Sequence, residues 1–207
     1  MGGVLSYGYR LRAAKVAAFA CALAALLYGP QRQICLASGE DSVPASRQVV
    51  VLMRALAYDG NLKSRAGETV NIAILHKKGN AASENTANSM AKAFGALEST
   101  QVSGLPIVVS RLLYSGEDTL NKAITGAGID LIYVCDGLEN ELEAIARITR
   151  QMRVLSVGSK PEQVEKGLSI GVFQIEAKCT ILLNLAASRL EGVSFAADLL
   201  RLAKVIR

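Results

Sequence analysis

Two runs of β-branched and aliphatic residues constrain the fold of this sequence most: VNIAILHK at 70–77 and IDLIYVC at 129–135. Such continuous runs indicate strands that are covered on both faces. Strands and helices that alternate at this spacing predict right-handed crossovers and a mainly parallel open sheet with flanking helices, an α/β fold. The further predicted elements are strands at 105–113 and 154–159, and helices at 84–97, 117–128 and 139–152.

The pattern changes after Gly167, where two strand-like runs follow each other almost without a spacer. SIGVFQIEA and KCTILLNL therefore predict an antiparallel hairpin at the end of the sheet. A last helix is predicted from an N-cap at Ser194. Its apolar face would contain Phe195, Leu199, Leu202, Ala203 and Ile206. A first amphipathic helix, with Val49, Leu52, Met53 and Leu56 on one face, is predicted to end near Asp59.

The N-terminal segment has the pattern of an export signal. Arg10, Arg12 and Lys15 precede an apolar run of 13 residues from Val16 to Tyr28. A membrane-spanning helix needs about 20 such residues, so a cleaved signal peptide is favoured over a short transmembrane anchor. Small-residue cleavage sites predict a signal peptide at 1–37, with cleavage as late as residue 45, followed by a single domain at 47–207.

The positive charge of the chain belongs largely to this segment. Removing residues 1–37 removes four basic residues and no acidic one, so the formal net charge falls from +5 to +1. Nucleic-acid-binding domains carry a basic patch, often with interleaved aromatic side chains. Such a stripe is missing here, and we expect no nucleic-acid partner.

The residues offer little catalytic chemistry. His76 is the single histidine, so a metal site or a catalytic triad would both depend on it. No serine lies in a Gly-x-Ser-x-Gly motif, and Gly126-Ala127-Gly128 precedes a strand rather than a helix, which excludes the dinucleotide fingerprint. We therefore predict that the protein is not an enzyme and needs no metal or cofactor.

One pair of loops has the right position for a ligand. Lys77, Lys78 and Ser83 lie between a predicted strand and the next helix, whose N–H groups could bind an anion. Asp136 follows another strand and would open on the same side of the sheet. The alternative interpretation is an ordinary solvated loop.

Two cysteines, Cys135 and Cys179, remain after removal of the signal peptide. Cysteines of exported proteins often pair, so these two are a candidate disulfide. The alternative is that they are small buried apolar side chains.

The order of the C-terminal motifs resembles that of the YfiR family of exported proteins. In that family a Gly precedes a strand, a second strand ends in Asn-Leu, and an Ala-rich turn leads to a Leu-rich helix. The matching residues here are Gly167, 173–175, Asn184-Leu185, Ala186-Ala187 and 194–203. The resemblance covers about 47–207 and is most specific at 153–206. The sequence departs from the family in having no Trp and in its first helix, which lacks the usual aromatic residues.

The resemblance implies a periplasmic regulatory protein. Members of this family bind and repress a membrane-bound diguanylate cyclase and so lower cyclic-di-GMP synthesis. For this chain we expect a membrane-bound signalling protein of that kind, a diguanylate cyclase or a sensor kinase, as the partner. An outer-membrane lipoprotein can sequester them, and homodimers are typical. We take Leu199, Leu202 and Ile206 as the candidate partner surface. The alternative function is a periplasmic small-molecule sensor or solute-binding domain that uses the loops at Lys77 and Asp136.

Overall fold

A single mixed sheet organises the computed structural model, which describes residues 42–97 and 100–206. The described strands lie side by side in the order β2-β3-β1-β4-β5-β6-β7-β8. Their bounds are β1 Val70–His76, β2 Gln101–Val102, β3 Leu105–Leu113, β4 Leu131–Val134, β5 Leu155–Gly158, β6 Ile170–Ile175, β7 Lys178–Asn184 and β8 Lys204–Ile206. The predicted signal peptide falls on residues that lie outside the described ones.

The sheet is parallel in its centre and antiparallel near its ends. Strand β1 pairs in parallel with β3 on one side and with β4 on the other, and β4, β5 and β6 continue in parallel. Strands β6 and β7 form the predicted antiparallel hairpin, β2 pairs antiparallel with β3, and β8 runs parallel to β7. The predicted α/β fold is confirmed.

Helices cover both faces of this sheet. Their bounds are α1 Ala45–Leu56, α2 Leu62–Ala66, α3 Ala81–Gly95, α4 Glu117–Ala127, α5 Leu142–Met152, α6 Pro161–Glu165, α7 Leu185–Leu190 and α8 Ala197–Leu202. Helices α1 and α3 pack on one face, where Leu52 and Phe94 contact a core that includes Ile72. Helices α4 and α5 pack on the other face, where Leu120 and Ile145 share a cluster with neighbouring strand residues. Each large side chain buried in this way contributes about 1.5–3 kcal/mol.

The end of the chain differs from the prediction. Helix α8 is only six residues long, begins after Ala196 and ends at Leu202, and the chain then forms β8 beside β7. The Ser194 N–H donates to Asp59 Oδ1 over 2.9 Å, so Ser194 belongs to a tertiary contact and is not the N-cap. The prediction that Ile206 lies on a helical face was therefore wrong, because pairing with the edge of β7 outweighs the helical periodicity.

Asn184 connects the hairpin to α7. Its side-chain Oδ1 accepts from the Ala187 N–H over 3.0 Å and its Nδ2 donates to the Val164 carbonyl over 3.1 Å. The side chain thus caps the short helix that follows β7 and ties it to α6. This helix occupies the stretch that the sequence suggested as an Ala-rich turn.

The start of the described chain is already part of the core. Val43 is 4% exposed, and the Gln48 side chain donates to the Val43 carbonyl over 2.8 Å. Cleavage after residue 45 would remove this buried side chain, whereas cleavage after residue 37 would keep it. Among the described residues, no helix is both long enough and apolar enough to span a bilayer.

Candidate functional site

The carboxyl ends of β1 and β4 form the topological switch point of the sheet. The chain leaves β1 through α3 toward β3 on one side, and leaves β4 through α5 toward β5 on the other. Ligands of open α/β sheets bind in the crevice at such a point. The structure brings the predicted ligand loops together there, because Lys77 follows β1 and Asp136 follows β4.

The loop after β1 is held mainly by its own chain. The Lys77 backbone N–H donates to Ser83 Oγ over 2.9 Å, and the Ser83 N–H donates to Asn80 Oδ1 over 3.0 Å. Ser83 is fully buried and Asn80 is the N-cap of α3, so both side chains order the first turn of that helix. Lys77 Nζ reaches across to Glu141 Oε1 at 2.6 Å, whereas Lys78 is exposed.

The loop after β4 contains a second group of paired charges. Asp136 Oδ1 accepts from the Ser159 hydroxyl over 2.5 Å, and Lys160 Nζ lies 3.1 Å from Glu139 and 3.9 Å from Asp136. Burial acts to raise the pKa of Glu139, but hydrogen bonds from backbone N–H groups and from Lys160 outweigh it and lower the pKa. Lys77 and Lys160 therefore each have a carboxylate partner.

The two loops approach each other closely at Gly137. Its backbone has a φ of +79°, and a Cβ atom there would lie 2.5 Å from Asn80 Nδ2. Only glycine fits this position without displacing the cap of α3. An anion bound at the switch point would compete with Glu141 for Lys77. The geometry therefore favours a closed switch point, at which the lysines are already neutralised by carboxylates of the same chain, over an open anion site.

His76 lies at the end of β1, next to this edge. Its carbonyl accepts from the Tyr114 N–H over 2.8 Å, and its Nδ1 is buried with no hydrogen-bond partner among the described residues. Anywhere within residues 42–97 and 100–206, no cluster of three or more His, Cys, Asp or Glu side chains is arranged to bind a metal. Among the described residues, His76 is therefore not part of a metal-ligand cluster.

The two candidate disulfide cysteines lie apart, and both are free thiols. Cys135 follows β4, Cys179 lies on β7, and two strands separate them in the sheet. At a strand spacing of about 4.8 Å the two backbones are roughly 14 Å apart. A disulfide needs Cα atoms within about 7 Å, so the structure does not bring this pair together. Cys135 takes the alternative role, a buried side chain within the core.

The candidate partner surface is divided by the structure. Leu199 is 1% exposed and belongs to the core, because α8 packs this side chain inward. Ile206 is half-buried against a cluster that includes Phe173. Leu202 is 69% exposed, and Leu190 on α7, which the sequence analysis did not select, is 60% exposed. These two leucines are the most exposed large apolar side chains described. Both lie in the part of the chain that follows β7, residues 185–206, which we call the C-terminal segment.

The sequence analysis also missed Glu191, which follows α7 and is fully buried. Its Oε1 accepts from the hydroxyls of Thr149 at 2.7 Å and Ser156 at 2.6 Å. Its Oε2 accepts from the Ser156 N–H at 2.9 Å and from the Ser169 hydroxyl. One carboxyl group thus joins α5, β5 and the start of β6 to the C-terminal segment. Nothing in the local sequence pattern distinguishes it from a solvated glutamate.

Asp59 performs a similar task on the other side of the C-terminal segment. Its carboxylate pairs with Arg65 at 2.8 Å and accepts from the Asn61 and Ser194 N–H groups. The Gly60 N–H donates to the Ser194 carbonyl, and the Ala196 N–H donates to the Tyr58 carbonyl. The turn after α1 and the approach to α8 therefore form one hydrogen-bonded unit.

The fold and these surfaces define an α/β domain with a closed switch point and with two exposed leucines near its C-terminal end. A family model described as YfiR/HmsC-like matches residues 58–204. The chain belongs to the YfiR/HmsC-like family, as its C-terminal motifs predicted. At the level of the family, this membership supports a regulatory, non-catalytic role in the periplasm.

Solved structures share the fold at low sequence identity. A conserved domain protein from Vibrio cholerae O1 biovar El Tor is 13% identical with a TM-score of 0.56, and the match covers 79% of this chain and 60% of that one. An ABC domain from Streptococcus pneumoniae, solved in complex with L-Trp, is 14% identical with a TM-score of 0.53, covering 79% and 62%. The chain thus spans less than two thirds of either protein. A search of curated proteins by sequence returned no match.

Proposed function

We propose that this protein is a periplasmic regulator that binds and represses a membrane-bound signalling protein, with a diguanylate cyclase as the expected partner and without catalysis of its own. Membership of the YfiR/HmsC-like family over residues 58–204 supports this proposal. Sequestration by an outer-membrane lipoprotein would relieve the repression.

The observation that carries the proposal is the pair of exposed leucines in the C-terminal segment. Leu202 is 69% exposed and Leu190 is 60% exposed, whereas Val193, Phe195 and Leu199 in the same part of the chain are buried. Both helices that hold these leucines pack against β8. Contiguous apolar surface that stays exposed on a folded domain marks protein interfaces, and contact of both helices with β8 places the two leucines in one part of the structure. We therefore propose Leu190 and Leu202 as the partner surface, and assign Leu199 to the core.

The test combines a binding assay with a measurement in cells. Deleting the gene should raise the cyclic-di-GMP content of the host, and the wild-type gene should restore it. A gene with both Leu190→Glu and Leu202→Glu should not restore it. In pull-downs from solubilised inner membranes, the wild-type protein should retain a protein with a diguanylate cyclase domain. The variant should retain roughly tenfold less, which corresponds to about 1.4 kcal/mol.

A matched control carries the same change elsewhere. Val50 and Met152 are also partly exposed apolar side chains, but they lie on α1 and at the end of α5. A protein with Val50→Glu and Met152→Glu should bind and repress like the wild type. Unchanged cyclic-di-GMP after deletion, together with a higher melting temperature in the presence of a small anion or metabolite, would instead favour a small-molecule sensor.

A further inference from the structure

A polar cavity lies at the amino edge of the sheet, opposite the switch point. Its volume is about 490 Å³, within the roughly 300–1,000 Å³ that is typical of small-molecule sites. Its wall includes the ends of three helices, at Ala66, Thr125 and Met152, and the starts of two strands, at Asn71 and Asp130. The function proposed above does not use this cavity.

Asp130 places a buried carboxylate in the wall of the cavity. The residue is 8% exposed, and its Oδ2 accepts from the Asn71 backbone N–H over 2.8 Å. Its Oδ1 has no hydrogen-bond donor within the described chain, yet it is not sealed from solvent, so it is open to the cavity. Burial raises the pKa of this carboxyl group, because the Asn71 N–H and the nearby Arg65 compensate the desolvation only in part.

The guanidinium beside Asp130 is already used by the protein. Arg65 Nη2 lies 2.8 Å from Asp59 Oδ2, in an ion pair whose carboxylate is fully buried. Its Nη1 donates to the Asp130 and Arg153 carbonyls over 3.4 and 3.3 Å. The stem of Arg153 itself lies against Gly192, in the C-terminal segment. Asp130 therefore has no ion-pair partner among the residues that the structure describes.

The free polar groups of the cavity are acceptors. Asn71 Nδ2 donates to the Gly128 carbonyl over 3.0 Å, which leaves Asn71 Oδ1 without a donor in the described ranges. The Thr125 hydroxyl donates to the Asn121 carbonyl over 3.0 Å, so its lone pairs remain free. Thr125 also lies in the last turn of α4, where no basic side chain offsets the partial negative charge of the helix end. A matching ligand must supply hydrogen-bond donors and positive charge.

Apolar side chains complete the wall. Ile124 and Ile129 are buried, and Met152 is 36% exposed. These side chains can pack against a short methylene chain. We propose that this cavity binds a small aliphatic amine, whose ammonium group donates to Asp130 Oδ1 and Asn71 Oδ1 and whose methylene chain packs beside Met152.

Three four-carbon probes test the charge selectivity of the cavity. n-Butylammonium, n-butanol and butyrate are titrated as separate samples into the isotope-labelled protein, and the amide signals are followed by NMR. With n-butylammonium we expect saturable shifts at Asn71, Thr125 and Asp130, and a dissociation constant on the order of 1 mM for so small a ligand. n-Butanol and butyrate should bind at least roughly tenfold more weakly, because neither supplies the charged donor that Asp130 lacks.

Substitutions in the wall test the same site. Asp130→Asn keeps an acceptor for the Asn71 N–H but removes the charge, and should raise the n-butylammonium dissociation constant at least roughly tenfold. Asp118→Asn, at the other end of α4, is the matched control and should bind like the wild type. Thr125→Val, at an exposed position, should raise the dissociation constant roughly two- to fivefold. This variant and the three wild-type titrations decide the question if Asp130→Asn does not fold.

Four results would contradict the proposal. Absence of saturable n-butylammonium shifts would exclude the site, and equal binding of n-butanol would show that only the apolar chain is recognised. Tighter binding of butyrate would mean that Arg153 controls the charge selectivity. Unchanged binding by a folded Asp130→Asn protein would place the amine elsewhere. None of these titrations involves the signalling partner, so their outcome is independent of the proposed function.

Discussion

Glu191 shows how much one buried side chain holds together. Its carboxyl group bonds two serines and a threonine that are all buried, and each of them lies on a different part of the chain. A buried hydrogen-bond donor that loses its acceptor costs about 1–3 kcal/mol. Glu191, in the stretch AASRLEG, therefore attaches the C-terminal segment to the centre of the sheet.

The ionisation of Glu191 should make stability depend on pH. Burial raises the pKa of this carboxyl group above its ordinary value, although the surrounding hydrogen bonds oppose the shift. Between the unfolded-state pKa, about 4.3, and the raised folded-state pKa, the folded protein binds more protons than the unfolded one. This contribution is therefore fully favourable below about pH 4.3 and is lost as the pH rises.

A Glu191→Gln protein has no such ionisation. We expect the free energy of unfolding of the wild type, relative to that of Glu191→Gln, to decrease as the pH rises from about 4 toward 7. Urea unfolding at a series of pH values measures this difference. A difference that increases with pH would mean that hydrogen bonding, and not burial, controls this carboxyl group.

At the scale of elements, α8 carries a buried and an exposed leucine within four residues. Leu199 points into the core and Leu202 points outward. The sequence analysis could not distinguish them, because it predicted a longer helix that continues to Ile206 and has both leucines on one apolar face. The helix instead ends where β8 begins to pair with β7.

Two alanine substitutions should therefore have very different effects. Leu199→Ala should lower the free energy of unfolding by about 2–5 kcal/mol, because it removes a fully buried side chain. Leu202→Ala should change it by less than about 0.5 kcal/mol. Chemical denaturation followed by circular dichroism measures both. Similar losses in the two variants would mean that Leu202 is covered in the folded protein.

Most elements were predictable because their signals are local. The run at 129–135 and the apolar face of 139–152 correspond to β4 and α5, and the hairpin follows from two strand-like runs without a spacer. The short elements α2, α7 and β8 were not predictable. They form through contacts across the chain, such as those of Asp59 with Ser194 and of Asn184 with Val164.

The same limit applies to the candidate site. Sequence reasoning placed Lys77, Ser83 and Asp136 at the carboxyl edge, and the structure brings their loops together there. It could not identify Glu141 and Lys160 as their neighbours, because those pairs join residues far apart in the chain. These ion pairs decide whether the charged side chains at the carboxyl edge of the sheet are available to a ligand.

At the scale of the whole molecule, the two described cysteines differ in their accessibility to solvent. Cys135 is fully buried, and burial raises the pKa of its thiol to about 12. Cys179 lies half-buried on β7, where β8 covers only the later part of the strand. Reactive cysteines are accessible thiolates, so of the two described cysteines Cys179 should react while the molecule is folded and Cys135 should not.

Thiol labelling should therefore proceed in two steps. We expect Cys179 to react with a thiol reagent in the native protein, and Cys135 to react only at the rate of global unfolding. Mass spectrometry of each labelled peptide over time separates the two, and a Cys179→Ser protein isolates the slow step. Fast native labelling of Cys135 would show that the sheet opens locally at the end of β4.

Contacts between the start and the end of the described chain determine when folding can be completed. The core that contains Val49 and Leu52 near the start of the described chain also contains Phe195 and Leu199 near its end. A polypeptide that is threaded through a membrane with its N-terminus first cannot complete this core until nearly all of it has emerged. Contacts between distant parts of a chain slow folding in general. In such a chain, the core would stay incomplete until Phe195 and Leu199 had crossed the membrane, so the polypeptide would remain unfolded during export.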